Sequence, residues 1–284
     1  MKILVTGALG MLGKDLLPLL SAKHEVLGKD IQDFDITDRR RVQDEIAACR
    51  PDVVIHAAAY TDVDGCETKR DLAFAVNGEG ALHVALGCAQ AGSRMIHLST
   101  DYVFDGTSQI PYPEGFPAHP LNVYGESKLQ GELYIQKVLE NYLIIRTAWL
   151  YGKQGKNFVD TILRLSGQQD ELRVVNDQRG SPTFTKDLSQ ALGRLVEEET
   201  QGVLHVTNSG SCTWFEFAQK ILDLTFLSGR KARVIPISST ELGRPAQRPA
   251  NSVLDCSRFE QITGFPMRNW EEGLREYLSS GPYP

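Results

Sequence analysis

The chain has 284 residues, of which 42% are hydrophobic and 23% charged, so it can bury a large core and is not expected to be disordered. Its net charge of -6 and the lack of a basic block argue against a nucleic-acid partner. The five cysteines form no C-x-x-C pair, which disfavours disulfides and a zinc knuckle and favours reduced thiols in the cytoplasm. The sequence shows neither a signal-peptide pattern nor a run of ~20 apolar residues, so no membrane association is expected.

Short apolar runs alternate with helical patterns through the first half of the chain. The predicted strands cover residues 2–6, 25–29, 52–56, 94–98 and 142–146. The predicted helices cover residues 11–20, 39–49 and 122–140, with one long helix inside 70–91. We expect Pro18 to shorten the first helix and Thr37 or Asp38 to cap the second. Because the strands are continuous apolar runs, both of their faces should be buried, which predicts an α/β fold with a Rossmann-type doubly wound parallel sheet.

The second half is less regular, and proline-containing loops separate its elements. The predicted strands are 172–175, 203–206 and 233–237, and the predicted helices are 186–198, 214–224 and 270–278. We therefore predict a dinucleotide-binding Rossmann core over residues 1–150. Residues 151–284 are predicted to be a mixed region that holds further core elements and a smaller substrate-binding lobe.

A glycine-rich loop lies directly between the first predicted strand and the first predicted helix. Three glycines of this loop, Gly7, Gly10 and Gly13, allow a tight turn, a close approach of the backbone to a pyrophosphate, and close packing of the helix on the strand. The N-terminus of the helix then offers free N–H groups and a favourable dipole to the anion. A purely structural glycine loop is the alternative to this dinucleotide site. The loop residues assigned to cofactor binding are Gly7, Gly10, Met11, Leu12 and Gly13.

Acidic residues after the second predicted strand bear on the choice of cofactor. Asp30 lies where an acidic residue accepts hydrogen bonds from the adenosine ribose, which favours NAD over NADP. Lys29 and Lys14 are close in sequence and offer the alternative of binding a 2′-phosphate. Asp35 and Ile36 fall where the adenine ring is expected, and a simple turn is the alternative reading of Asp35.

Tyr124 and Lys128 are the candidate catalytic pair. They are four residues apart and share one face of the predicted helix, and no other of the nine tyrosines has a lysine at this spacing. A free tyrosine titrates near pH ~10, and a neighbouring ammonium is expected to lower that pKa. Tyrosine can then give its proton to a carbonyl oxygen as a hydride reaches the carbon. The alternative is an exposed Tyr–Lys pair on a surface helix.

Thr100 follows a strand that is predicted to end at the carboxyl edge of the sheet, where doubly wound proteins bind their ligands. Its hydroxyl can hydrogen-bond a reacting carbonyl and hold it toward Tyr124. The alternative is a capping or turn threonine. The six histidines show no metal-ligand spacing, and we interpret His56 and His97 as core or packing residues.

Further segments carry a pattern that extends from residue 3 to residue 185, with Arg248-Pro249 continuing it toward the C-terminus. They are HAAAYT at 56–61, STDYVFD at 99–105, RTAWLYG at 146–152 and GSPT at 180–183. Together with the glycine loop and YGESK at 124–128, these segments resemble the extended short-chain dehydrogenase/reductase family and, within it, the dTDP-4-dehydrorhamnose reductases. The STDYVFD and RTAWLYG segments are the more specific ones.

The resemblance implies reduction of the 4-keto group of dTDP-4-dehydro-L-rhamnose to dTDP-L-rhamnose. It implies a catalytic triad of Thr100, Tyr124 and Lys128. It also implies NADPH as the cofactor, with NADH as an alternative, whereas Asp30 taken alone favours NAD. The residues that it implies next to the sugar are Asp101, Tyr102 and Trp149, and those beside the cofactor are Ala57, Ala58 and Tyr60. For Trp149, a core aromatic is the alternative.

The sequence departs from some relatives that form a magnesium-bridged dimer through glutamates. One of those glutamates follows the glycine loop, where this chain has Asp15, and the others have no identified counterpart. A role for magnesium is therefore in doubt, and no metal site is predicted; the protein is expected to be a monomer or a homodimer. Two other functions remain as alternatives: a nucleotide-sugar epimerase or dehydratase on the same scaffold, and a non-catalytic dinucleotide-binding regulatory subunit.

Overall fold

The computed structural model describes residues 1–225 and 232–280 of the chain. Its strands are β1 (Lys2–Thr6), β2 (Glu25–Lys29), β3 (Val53–His56), β4 (Arg94–Thr100), β5 (Tyr142–Thr147), β6 (Leu150–Tyr151), β7 (Glu171–Val175), β8 (Arg179–Gly180), β9 (Thr183–Phe184), β10 (Gly202–His205), β11 (Cys212–Thr213) and β12 (Arg233–Ile237).

The α-helices are α1 (Met11–Ser21), α2 (Arg39–Cys49), α3 (Val63–Thr68), α4 (Arg70–Ala73), α5 (Gly80–Ala91), α6 (Val123–Val138), α7 (Phe158–Ser166), α8 (Thr185–Leu195), α9 (Trp214–Leu224), α10 (Ser239–Leu242), α11 (Ser257–Thr263) and α12 (Trp270–Ser279). A π-helical segment, Phe74–Glu79, joins α4 to α5, and a 3₁₀ turn, Asp101–Val103, follows β4.

Six parallel strands form the central sheet in the order β10-β5-β4-β3-β1-β2. Side chains from α1 and α8 fill the core on one face of the sheet, and side chains from α2, α5 and α6 fill it on the other. Helices thus cover both faces, which explains why the strands are continuous apolar runs. The predicted Rossmann-type doubly wound parallel sheet is confirmed.

The prediction that Pro18 shortens the first helix is wrong. Helix α1 continues past this residue to Ser21, with Pro18 on its exposed face. The opposite face buries Leu12, Leu16 and Leu20 in the core, and this packing holds the helix together despite the lost backbone donor. Helix α2 begins as predicted, because the side chain of Asp38 accepts a hydrogen bond from the backbone N–H of Arg41.

A second core lies beside the central sheet and is built from the later part of the chain. Strands β7 and β12 pair in parallel, and α7, α9 and α12 contribute apolar side chains to this core. The later part of the chain also supplies β10 and α8 to the central sheet and its cover. The division at residue 150 stays a prediction.

One helical segment, Arg70–Ala91, is long and apolar enough to cross a membrane by length and composition alone. Half of its most apolar stretch is buried inside the protein. Its α5 portion packs against α2 and α6 in the layer that covers the sheet. The segment is therefore a core helix of the Rossmann fold.

Candidate active site

A cleft of about 1400 Å³ follows the carboxyl edge of the central sheet and continues between the sheet and the second core. Because all six strands are parallel, their carboxyl ends meet at this edge. The structure brings the predicted site residues together here, with the exception of Tyr60. The backbone N–H of Tyr60 donates to Asn77 Oδ1, and its ring packs beside Cys66 instead of lining the cleft.

The glycine loop has the shape that a pyrophosphate requires. Gly7 has a φ of +72°, and a Cβ atom there would lie 2.7 Å from the backbone nitrogen of Ala58. A Cβ at Gly13 would lie 2.5 Å from the carbonyl oxygen of Ala8. Gly10 is the N-cap residue of α1, and within the described residues no side chain caps this end of the helix. The first N–H groups of the helix are therefore left for a ligand. These features fit a dinucleotide in the cleft.

The Asp30 carboxylate ties the end of β2 to the glycine loop. Its Oδ2 accepts from the backbone N–H of Leu9 at 2.8 Å, and its Oδ1 accepts from the backbone N–H of Ile31 at 2.8 Å. The Lys29 ammonium lies 3.7 Å from Asp33 and 3.8 Å from Glu45, so carboxylates already balance its charge. Lys29 therefore has carboxylate partners already, and Asp30 adds a negative charge to this part of the cleft.

Asp35 and Ile36, which were predicted near the adenine ring, and the cation Lys14 also contact other residues of the protein. Asp35 lines the cleft and accepts from the backbone N–H of Thr37 at 2.9 Å, so it is a turn residue as well. Ile36 lines the cleft and packs close to Gly80. A Cβ atom at Gly80 would lie only 2.9 Å from Cδ1 of Ile36. Lys14 donates to the carbonyl of Gln154 at 3.4 Å.

Helix α6 carries Tyr124 and Lys128 to the carboxyl edge, and the Asn122 side chain caps its first turn by accepting from the Gly125 N–H at 2.8 Å. Lys128 Nζ donates to the carbonyl oxygen of Leu98 at 2.7 Å and lies 3.3 Å from His97 Nε2. Burial lowers the pKa of Lys128 to about 8, against the opposing effect of Glu132.

The pKa of Tyr124 is raised in this structure, whereas the sequence predicted that it would be lowered. Burial raises the pKa of Tyr124, and the neighbouring Thr100 hydroxyl acts in the opposite direction. The Lys128 ammonium donates to the Leu98 carbonyl of strand β4. Tyr124 is therefore protonated at neutral pH, which is the state a proton donor needs.

Thr100 has two structural roles at the end of β4. Its hydroxyl donates to Asp101 Oδ1 at 3.0 Å and accepts from the backbone N–H of Tyr102 at 3.1 Å. It therefore caps the 3₁₀ turn as well as lining the cleft. Burial raises the pKa of the Asp101 carboxyl to about 7, and the ring of Tyr102 packs edge-on against Tyr124 at 5.8 Å.

Trp149 lines the cleft in a constrained position. Its φ is +47°, its ring stacks on Trp214 at a centroid distance of 3.5 Å, and a Cβ at Gly180 would lie 2.4 Å from its Cε2. The stacking fixes the ring, and the ring still faces the cleft. The packing and ligand-facing interpretations of Trp149 are therefore compatible.

Sequence reasoning missed the cations that later segments bring to the cleft. Arg244 and Arg248 line it, and both lie near Asp64 of α3, with Arg248 Nη1 donating to its carboxylate at 2.6 Å. Lys156 lines the cleft as well. Only Arg248 had a signal in the sequence, because the Arg248-Pro249 pair is part of the family pattern.

Asp15, at the position of the metal-linked glutamate, accepts a hydrogen bond from the Thr185 hydroxyl at 2.5 Å. Within residues 1–225 and 232–280, no three or more His, Cys, Asp or Glu side chains are grouped so that they could hold a metal ion.

The chain matches the family described as the RmlD substrate binding domain over residues 1–281. It is 44% identical to a dTDP-4-dehydrorhamnose reductase of Streptomyces griseus over 96% of this chain and 91% of that protein. It is 43% identical to the spore coat polysaccharide biosynthesis protein SpsK of Bacillus subtilis over 98% and 96% of the two chains. A crystal structure of dTDP-4-dehydrorhamnose reductase from Bacillus anthracis in complex with NADP superimposes with a TM-score of 0.94 at 40% identity, covering 99% of both chains.

These likenesses extend over nearly the whole chain, and they include the glycine loop, the Tyr124–Lys128 helix and the later segments that complete the cleft. They confirm the resemblance inferred from the motifs, and the NADP complex of the B. anthracis protein confirms the expected class of cofactor. The chain belongs to the RmlD substrate binding domain family.

Proposed function

We propose that this chain is an NAD(P)H-dependent oxidoreductase that reduces dTDP-4-dehydro-L-rhamnose to dTDP-L-rhamnose. The observation that carries the proposal is the meeting of Thr100, Tyr124 and Lys128 with the glycine loop in one cleft, in a chain 44% identical to a reductase of this name. The bound nicotinamide supplies the hydride, and the protein supplies the proton and the orientation of the sugar.

Tyr124 is the proton donor. Its phenol is protonated at neutral pH because burial raises its pKa, so the proton is available when negative charge develops on the sugar oxygen. The Thr100 hydroxyl lies next to the phenol and orients the carbonyl toward it. The Lys128 ammonium, held from the strand side by Leu98, binds the cofactor ribose and stabilises the phenolate once the proton has left.

The two ligands divide the cleft between them. The glycine loop and the ends of β2 and β3 would hold the dinucleotide, and Asp101, Tyr102 and Trp149, which line the same cleft, would contact the sugar. Arg244 lines the cleft, is half exposed and supplies positive charge that suits the diphosphate of the substrate. The residues proposed to contact the cofactor are Gly7, Gly10, Met11, Leu12, Gly13, Asp30, Asp35, Ile36, Ala57, Ala58, Tyr124 and Lys128.

Absorbance loss from NADPH, and separately from NADH, with freshly generated dTDP-4-dehydro-L-rhamnose tests the proposal. We expect rapid oxidation of the cofactor and one equivalent of dTDP-L-rhamnose as product. An epimerase or dehydratase converts its substrate without net use of reduced cofactor, and a regulatory subunit binds the cofactor without turnover. Either of those results would refute the reductase function.

Asp30→Asn is expected to raise the ratio of kcat/KM with NADPH to kcat/KM with NADH by about tenfold, because a carboxylate beside the ribose repels a 2′-phosphate. Steady-state kinetics with both cofactors measures the ratio. Asp35→Asn is the control, since it removes the same charge on the adenine side and should affect both cofactors alike. A ratio that stays constant in Asp30→Asn would place the ribose elsewhere.

We place the protein in the cytoplasm, as a monomer or a homodimer without a nucleic-acid or membrane partner. The five cysteines are all free, which supports a reducing compartment. Sedimentation of the purified protein determines its oligomeric state.

A further inference from the structure

Three polar residues form a row across the central sheet. Thr6, His56 and His97 are register partners on the neighbouring strands β1, β3 and β4. Lys128 of α6 meets the end of the row, and all four residues are at most 2% exposed. The contacts that these buried side chains make with one another constrain their protonation, while His56 Nε2 and His97 Nδ1 have no hydrogen-bond partner among the described residues.

The contacts along the row connect the glycine-loop end of β1 to the catalytic lysine. Thr6 Oγ1 lies 2.7 Å from His56 Nδ1. The rings of His56 and His97 stack at a centroid distance of 5.2 Å with an angle of 24° between their planes. His97 Nε2 lies 3.3 Å from Lys128 Nζ. The His97 ring thus lies between the His56 ring and the ammonium, with its Nε2 next to the ammonium.

The protonation of His97 follows from its surroundings. Burial lowers its pKa well below the ordinary value, with further lowering by Lys128 and His56, so the ring is neutral at working pH. An ammonium only donates, so Nε2 must accept and the ring proton must be on Nδ1. Among the groups that face Lys128, Glu132 of its own helix is the one that favours the charged form, and His56 is neutral because burial lowers its pKa to about 3.

We propose that His97 is a positioning residue for Lys128, with its Nε2 accepting one hydrogen bond from the ammonium while the Leu98 carbonyl accepts a second. Within the described residues these two atoms are the acceptors at hydrogen-bond distance from Nζ, so the third proton is left for the cleft. The inference rests on the proposed function, because a hydroxyl of the cofactor ribose would accept the third hydrogen bond of the ammonium.

The loss of the His97 acceptor has a definite sign. The charged form of Lys128 loses a hydrogen bond in a buried site, so its pKa falls further below about 8. Activity that needs the ammonium is present below this pKa and is lost as the pH rises through it. Removal of the acceptor therefore moves the alkaline fall of kcat/KM to lower pH.

The first test compares His97→Leu with His97→Gln, whose amide oxygen can accept in place of Nε2. We expect the alkaline fall of kcat/KM to shift down by about one pH unit in His97→Leu, with a raised KM for the cofactor, and to stay at the wild-type position in His97→Gln. His205→Leu is the matched control. This histidine is equally buried and neutral, but it contacts the Tyr112 carbonyl and not the lysine. It should lose stability without any shift of the pH profile.

A folded His97→Leu protein with the wild-type pH profile and cofactor KM would overturn the proposal. The second test needs no turnover and applies even if that variant does not fold. In protein labelled with ¹⁵N-histidine, His97 should show a neutral ring with the proton on Nδ1, and Lys128→Met should shift its Nε2 resonance. A proton on Nε2, or no response to Lys128→Met, would also overturn it. Expected ring signals in a protein that does not reduce the sugar would refute the proposed function and leave the His97–Lys128 contact standing.

Discussion

Tyr124→Phe is expected to lower kcat for the keto sugar by about a thousandfold while the affinity for NADPH and NADH stays unchanged. The substitution removes the phenolic proton next to Thr100 and leaves the ring, which packs edge-on against Tyr102 at 5.8 Å. The cleft therefore keeps its shape and loses its proton donor. Steady-state kinetics with the sugar, and fluorescence titration with the cofactor, measure the two effects separately.

Tyr134→Phe is the control for this experiment. Tyr134 lies on the same helix and does not line the cleft, so the loss of its hydroxyl should leave kcat unchanged. A Tyr124→Phe enzyme that retains most of its turnover would show that another group donates the proton. Asp101 would then be the group to examine, because burial raises its pKa to about 7 and its carboxyl contacts Thr100.

The strands of the first half could be predicted from sequence because burial on both faces leaves a plain apolar pattern. Predicted and observed bounds agree within two residues for β1 to β5, and the parallel arrangement follows from the intervening helices. The break of the long helix into α4, a π-helical segment and α5 was not predicted. Helix α7 was missed as well, because its apolar residues face the second core, whose position the local sequence does not reveal.

The part of the site that could be predicted is the part that is local in sequence. The glycine loop and the Tyr124–Lys128 pair each lie within a few residues of chain, so their spacing determines their geometry. Arg244 and Arg248 both lie near Asp64 in the cleft region. Asp64 also accepts a hydrogen bond from the backbone N–H of Ala246, which is 182 residues away in sequence. No local pattern reveals such a contact.

The error about the tyrosine pKa has the same cause. The spacing of Tyr124 and Lys128 places them on one helix face, but it says nothing about the strand beneath them. Strand β4 presents the Leu98 carbonyl and the His97 ring to the ammonium. Burial of the phenol, which the spacing does not reveal, raises the pKa of Tyr124. The interpretation of His97 as a packing residue was likewise made from the strand alone, and its burial did not indicate the neighbour from α6.

Arg146→Met is expected to lower the free energy of unfolding by about 3–5 kcal/mol. Arg146 forms a two-pronged ion pair with Glu132, with Nη2 to Oε2 at 2.7 Å and Nε to Oε1 at 3.0 Å, and the two side chains are 6% and 1% exposed. The Ser99 hydroxyl also donates to this carboxylate. Removal of the guanidinium leaves a buried carboxylate without its counter-charge. Urea unfolding of the folded variant measures the loss.

The pair Arg70–Glu126 provides the control, because it has the same 2.7 Å separation but is 56% and 39% exposed. Arg70→Met should cost less than about 1 kcal/mol, since water solvates the remaining glutamate. The double variant Arg146→Met with Glu132→Met should recover most of the loss of Arg146→Met, because no buried charge remains. If the double variant is no more stable than Arg146→Met, the cost comes from the packing of Arg146 over Phe104, at 5.1 Å, and the stranded-charge explanation is refuted.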